Sequence, residues 1–193
     1  MPRTETFDRE EIIRKSIEVF QARGYNGTSI QDLVDATGLN RSSIYNSFGS
    51  KQDLYRMALS YYEEENTREF RKALLRSSNA HEALERILKS AVFSALEDKE
   101  GKGCFILNCK SELGNTDEQL RDWLNKNQEK SISLFTEIVA EGQGEGSINK
   151  NHSALRYGYS LFNTFQGLRM TGILLQDKDV LEGIIHNTLE QLK

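Results

Sequence analysis

After Pro2, no proline interrupts the 193 residues of this chain. Proline is the residue that removes a helical N–H and collides with the preceding turn, so every later segment is free to be a long helix. Apolar residues recur at three- and four-residue spacing along most of the length, and no stretch alternates apolar with polar as a strand does. Glycines supply the breaks, at Gly24, Gly38, Gly49 and Gly114. The pattern predicts an all-α fold of about nine helices, without internal repeats.

A chain of this length can bury a core without disulfide or metal staples. Its apolar residues come in short clusters, never in a run of ~20, so no membrane span is expected. The opening MPRTETFDREE has no apolar core and carries acids early, unlike a signal peptide. With two cysteines only, the expected location is cytoplasmic. The net charge of −4 is spread unevenly: residues 1–60 hold 8 Lys and Arg against 8 Asp and Glu, and the remainder carries the deficit. That asymmetry has the sign expected of a nucleic-acid-binding head, though it is small.

The densest local signals lie between Thr28 and Lys51. Residues 1–7 read as a flexible arm, and a first helix starts at Asp8, with Phe7 and Ile12 as a hydrophobic staple and Gly24 as its stop. Thr28 and Gln31 form a T-x-x-Q capping box for a second helix. Gly38 suits a turn that needs positive φ. Leu39 plugs the core, Asn40 caps a third helix, and Gly49-Ser50 ends it. The third helix buries Ile44 and Phe48 and leaves Arg41, Ser42, Ser43, Tyr45 and Asn46 outside. This is a helix-turn-helix whose second helix suits the major groove of double-stranded DNA. Arg and Asn read base edges with paired hydrogen bonds, and Ser and Tyr take base or phosphate. Thr28 and Ser29, at a helix start, and Lys51, at the next, are candidate phosphate contacts. A helical corner in any all-α protein can show the same caps and turn glycine, so spacing alone leaves a helical enzyme or scaffold open.

These residues also carry a resemblance. Ile12-Ile13, Val19-Phe20, Gly24-Tyr25, Thr28-Ser29-Ile30, Leu33-Val34, Gly38-Leu39, Ile44-Tyr45 and Phe48-Gly49-Ser50-Lys51-Gln52-Asp53-Leu54 resemble, without gaps, the N-terminal domain of the TetR/AcrR family of transcriptional regulators. The resemblance covers roughly the first third of the chain. It implies a three-helix DNA-binding head over residues 1–49 and a helical body over 50–193 that binds a small effector and dimerises. It places Thr28, Tyr45 and Lys51 at phosphate contacts, and Arg41, Ser43 and Asn46 at variable positions facing bases or backbone. The chain departs from the family at Asn46-Ser47, where many members have His-Tyr or Tyr-His. Arg41 and Ser42 stand where Lys and Gly are frequent.

The body begins with a rod of about 26 residues running to Ser77-Ser78-Asn79, roughly 40 Å long. Thr116 and Gln119 form another capping box, opening a helix to about Glu141. GQGEGSINKN, residues 142–151, is the clearest loop. Two helices close the chain, at about 153–175 and 179–192. The first carries small residues at Ala154, Gly158, Thr164, Gly167 and Gly172 between large apolar ones. That pattern suits a four-helix seam in a homodimer built from the last two helices. An effector pocket is expected among the middle helices, with Phe93, Phe105, Cys109, Leu113, Trp123, Phe162 and Phe165 as candidates; the same residues at helical spacing also fit plain core. The effector's identity is not written in the sequence.

Cys104 and Cys109 lie about 140° apart around a helix, poor geometry for a disulfide between them. The glycines and Lys102 before Cys104, and Lys110 after Cys109, would favour a thiolate, so a thiol-based redox-sensing regulator is the alternative reading. His81, His152 and His186 stand on separate segments without metal-ligand spacing. There is no phosphate loop, nucleophile elbow or Cys-x-x-Cys. No catalytic residue, metal or cofactor is expected, and the leading expectation is a repressor released from its operator by a small molecule.

Overall fold

In a computed structural model the chain is described over residues 7–193; the rest of the expected N-terminal arm, residues 1–6, lies outside the described residues. Among them are nine helices and no strand. Asp8 caps α1 (Arg9–Gly27) by accepting the amides of Glu10 and Glu11. Gly24 leaves the helical conformation where the stop was expected. With φ 70° it kinks the helix, and one more turn follows to Gly27.

The cap of α2 (Ile30–Thr37) sits one residue later than the T-x-x-Q spacing suggests. Ser29 accepts the Asp32 amide, and the Asp32 carboxylate accepts the Ser29 amide. Thr28 instead turns inward, 2% exposed, and donates its hydroxyl to Gly24 O at 2.6 Å. The expectation overlooked that two adjacent hydroxyl residues compete for one cap, and that the one preceding an acid three residues on closes the reciprocal pair. Gly38 takes the left-handed conformation, φ 74°, and Asn40 caps α3 (Arg41–Phe48) through the Ser43 amide. Ser50 and Asp53 form a capping box at the start of α4 (Lys51–Leu75), a rod of 25 residues.

The body adds α5 (Ala80–Glu97), α6 (Phe105–Leu113), α7 (Glu118–Glu145), α8 (Ala154–Thr171) and α9 (Lys178–Glu190). Two sequence expectations fail in α7. Its cap is Asp117, not Thr116. The helix also runs through Gly142 to Glu145, where the expected loop should have begun. Gly142 is a contact point, not a breaker. A Cβ there would stand 2.6 Å from Ile148 Cδ1 and 2.9 Å from Ala80 Cβ, so only a hydrogen lets the returning chain and α5 approach.

Two apolar clusters hold the molecule. One lies inside the body, where α8 packs along α7 and α5, and α9 closes over α5. The other joins Ile12, Ile17, Phe20, Leu33, Ile44 and Phe48 of the first three helices to Leu54, Tyr55 and Leu59 of α4. It continues into Phe105, Cys109 and Leu113 of α6 and Leu120 and Leu124 of α7. The expected division after residue 49 falls between α3 and α4, and this cluster crosses it. Each such side chain contributes about 1.5–3 kcal/mol on burial.

Candidate DNA interface and effector cavity

The outer face of α3 is polar because its apolar residues are used underneath: Ile44 and Phe48 are fully buried. Arg41, Ser42, Tyr45 and Asn46 are exposed together on that face, Tyr45 by 47%. Ser43 is half-buried, its amide held in the Asn40 cap. Ser29 is exposed at the start of α2.

Two of the expected phosphate contacts have other partners. Thr28 is buried as described above. The Lys51 ammonium donates to Tyr25 O and Thr28 O, each at 2.8 Å, and stands 4.2 Å from the centre of the Tyr25 ring. It closes the end of α1, where free carbonyls and the helix dipole favour a cation.

The first three helices meet the body at a gripping contact. Because Gly24 turns α1 outward, the amides of Tyr25 and Asn26 point to α6, where the Glu112 carboxylate accepts both, at 2.8 and 2.7 Å. Gln21 Nε2 donates to Gly103 O at 2.8 Å beside it. Beneath lies an aromatic stack. Tyr55 meets Phe20 edge to face at 4.8 Å and Phe105 at 5.2 Å. The Tyr55 hydroxyl stands beside Cys109, and burial pushes the Cys109 thiol up to about 11.

The other end of α6 borders a cavity of about 570 Å³ between α4, α7 and α8. This is within the usual size of a small-molecule site. Its apolar wall is built from Phe70, Leu107, Leu134, Phe162 and Phe165, and an ion pair between Glu63 and Lys130, 3.0 Å, ties α4 to α7 at its edge. Arg169 on α8 reaches in. Its guanidinium donates to Cys104 Sγ at 3.2 Å and to Asn66 Oδ1 at 3.0 Å, with its carbon 4.4 Å from the Phe165 ring centre. Tyr62 stands beside the same sulfur, and burial raises its hydroxyl pKa.

Of the seven residues expected around an effector, Phe162 and Phe165 line this cavity. Phe105, Cys109 and Leu113 belong instead to the core between head and body. Trp123 lines a separate hollow of about 240 Å³ with Arg56 and Gln119. Phe93 is 66% exposed, because α5 buries Leu88, Ala91 and Val92 on its other side. Glu112, Asn66 and Arg169 were missed. Arg169 had a signal: it follows Leu161, Phe162, Phe165 and Leu168 on an apolar helical face, where a charge is out of place. The thiol reading gains no support at Cys109, and at Cys104 it has only the Arg169 contact. Both are buried and unbonded to each other, Cys109 with a raised thiol and Cys104 enclosed by Tyr62 and Arg169.

A capped three-helix head with an exposed polar recognition helix, gripped by a helical body around a cavity, defines a helix-turn-helix regulator. The comparisons with known proteins identify which kind. Residues 12–58 match the family described as bacterial regulatory proteins, tetR family, and residues 80–187 match the tetracyclin repressor-like C-terminal domain. The chain belongs to the TetR family and is a DNA-binding transcriptional regulator; ligand-responsive repression is typical of this family. Among its relatives, the uncharacterized HTH-type transcriptional regulator YezE of Bacillus subtilis (strain 168) is 28% identical over 149 residues, 77% of either chain. The HTH-type transcriptional repressor DhaR of Mycobacterium sp. (strain GP1) is 26% identical over 184 residues, 95% of this chain and 91% of that one. A solved structure of the TetR family regulator CifR, a cysteine mutant complexed with 26-base-pair double-strand operator DNA, superposes with a TM-score of 0.86. It is 26% identical and covers 99% of this chain and all of that one. No helix among the described residues is long and apolar enough to cross a membrane.

Proposed function

We propose that this regulator is a cytoplasmic homodimeric repressor that leaves its operator when a small molecule fills the cavity between α4, α7 and α8. The observation that carries the reading is the two-ended position of α6. Its first turn borders the cavity through Ile106 and Leu107, and its last turn holds the head through Glu112. A ligand that moves one end moves the other, because nine helical residues act as a short rigid bar. Arg41, Ser42, Tyr45 and Asn46 are the groove-facing contacts, with Ser29 and Ser43 beside them.

One recognition helix reads few base pairs, so two heads are needed about 34–36 Å apart or a multiple of that. The pairing surface is the outer side of α8 and α9. There Tyr159 and Met170 of α8 and Val180 and Ile184 of α9 are exposed, and Gly167 has open space where a side chain would stand. The small residues of α8 divide on this point. Gly158 packs against Thr136 and Gly172 against Ala95, inside the protomer, so the expected seam of small residues does not lie on one surface.

The test is binding of labelled DNA from the region upstream of the protein's own gene, by wild type and by Arg41→Ala and Tyr45→Ala. Each substitution should weaken binding about tenfold or more without lowering the melting temperature. Ile184→Glu should yield monomers in light scattering and abolish binding. Unaltered DNA affinity in both α3 variants would overturn the assigned interface.

A further inference from the structure

We infer that the effector is an organic monocarboxylate with an apolar body, and that Arg169 receives its carboxylate. The inference rests on the cavity described above being the effector site. An arginine on an apolar helix face, half-buried with its guanidinium over the Phe165 ring, costs desolvation that folded proteins normally offset with an acid. Arg169 has none: among the described residues no carboxylate stands within ion-pair distance of it, and its partners are a thiol sulfur and an amide oxygen. Sulfur is a weak acceptor, whereas the guanidinium fork is built to bind a carboxylate through two parallel hydrogen bonds.

The acids nearby are already engaged. In the hollow on the far side of Arg169, Asp98 accepts the amides of Lys102 and Gly103, at 3.1 and 2.6 Å. Glu63 is paired with Lys130, and Glu137 takes the Ser133 hydroxyl. Glu63 and Glu137 border the cavity and so do Lys130 and Arg71, which leaves the charge of Arg169 in excess and matches a ligand with a single negative charge. The apolar part of the wall, with Phe70, Leu107, Leu134 and Phe162, accepts an aryl or alkyl body.

The placement also supplies a switch. Arg169 ties α8 to Asn66 of α4 and to Cys104 at the start of α6. A carboxylate that takes over the guanidinium frees both, at the rod leading to the head and at the bar that grips it.

The experiment uses the full-length protein and two matched probe pairs, 4-phenylbutyrate with its amide and octanoate with its amide, at constant ionic strength. Calorimetry reads binding and fluorescence anisotropy reads the operator complex. The acids should bind about tenfold or more tightly than the amides, the size of a charge-assisted contact. Arg169→Gln should abolish the preference, and Arg169→Lys should retain part of it. The wild-type comparison stands alone if a variant fails to fold. Equal binding of acid and amide, or no acid binding through Arg169, overturns the carboxylate assignment. If the amides still bind and Ser131→Trp blocks them, the cavity reading survives that loss. If acids bind through Arg169 without releasing DNA, the ligand class stands and the release mechanism falls.

Discussion

Glu112 of α6 accepts the backbone amide of Tyr25 at 2.8 Å, a contact that crosses from the body to the DNA-binding head. Its second oxygen takes the Asn26 amide, so one carboxylate satisfies two donors that the kink at Gly24 leaves without helical partners. Glu112→Ala should therefore lower stability by about 1–3 kcal/mol, the cost of stranding hydrogen-bonded donors. It should also reduce the response of DNA binding to effector more than it reduces effector affinity. Urea melts and paired titrations check this. A variant that melts like wild type and keeps its full response would remove the contact from the signalling route.

Lys51 offers a sharp distinction between two roles. If its ammonium mainly meets a phosphate, Lys51→Met weakens DNA binding and leaves the fold alone. The two carbonyls it binds at 2.8 Å and the Tyr25 ring beneath it predict otherwise. The variant should lose roughly 1–2 kcal/mol of stability without DNA present, measured as a lower melting temperature.

Gly158 lies where α8 crosses α7. A Cβ there would come 2.3 Å from Thr136 Oγ1 and 3.1 Å from the Thr136 backbone nitrogen. The hydroxyl can rotate away but the backbone cannot. Gly158→Ala should cost about 1–3 kcal/mol by overpacking, even though alanine is the better helix former. A thermal melt no lower than wild type would show that the two helices can part freely.

Cys109 titrates in a defined direction. Its thiol is pushed up to about 11 by burial, whereas an unfolded cysteine ionises near ~8.5. Above that lower value the unfolded chain sheds its proton first, so this thiol's contribution is complete below about pH 8.5 and declines as pH rises toward 11. In a Cys104→Ser background, a disulfide reagent at pH 8 should modify Cys109 only as fast as the protein opens. Rapid modification of the native protein would contradict the enclosed thiol.

Acid acts at the starts of α2 and α4 with the opposite sign. Hydrogen bonds from the hydroxyl and amide of Ser29 hold Asp32 below its usual range, and Ser50 does the same for Asp53. Their contributions are complete above about pH 4 and are lost as pH falls through the lowered folded values. Asp32→Asn and Asp53→Asn should flatten the acid limb of a stability curve, followed by circular dichroism.

The helix count and the polar face of α3 were legible because each depends on local signals: caps, turn glycines and apolar spacing. Where two local solutions competed, spacing could not choose. Thr28 and Ser29 are both sound caps, and the acid at Asp32 decides between them. Gly142 carries the mark of a loop, yet a tertiary neighbour, Ala80, explains it. The cavity was the least legible part. Phe105 and Phe162 look alike in sequence, but one fills the core under the head and the other faces empty space. What separates them is the path of α6, set by contacts such as Glu112 with Tyr25 that join residues 87 positions apart.

The apolar cluster that runs from Ile12 through Tyr55 to Phe105 and Leu124 bears on how such proteins can be recombined. A chimaera joined after residue 49 would carry the recognition helix but leave behind the floor on which it rests. Its new host would have to provide rings and aliphatic chains of matching shape at two distant places in its own sequence. With the interface proposed above, exchange of DNA specificity between relatives is more workable on the surface of α3, by changing Arg41, Ser42, Tyr45 and Asn46, than by transplanting the whole head.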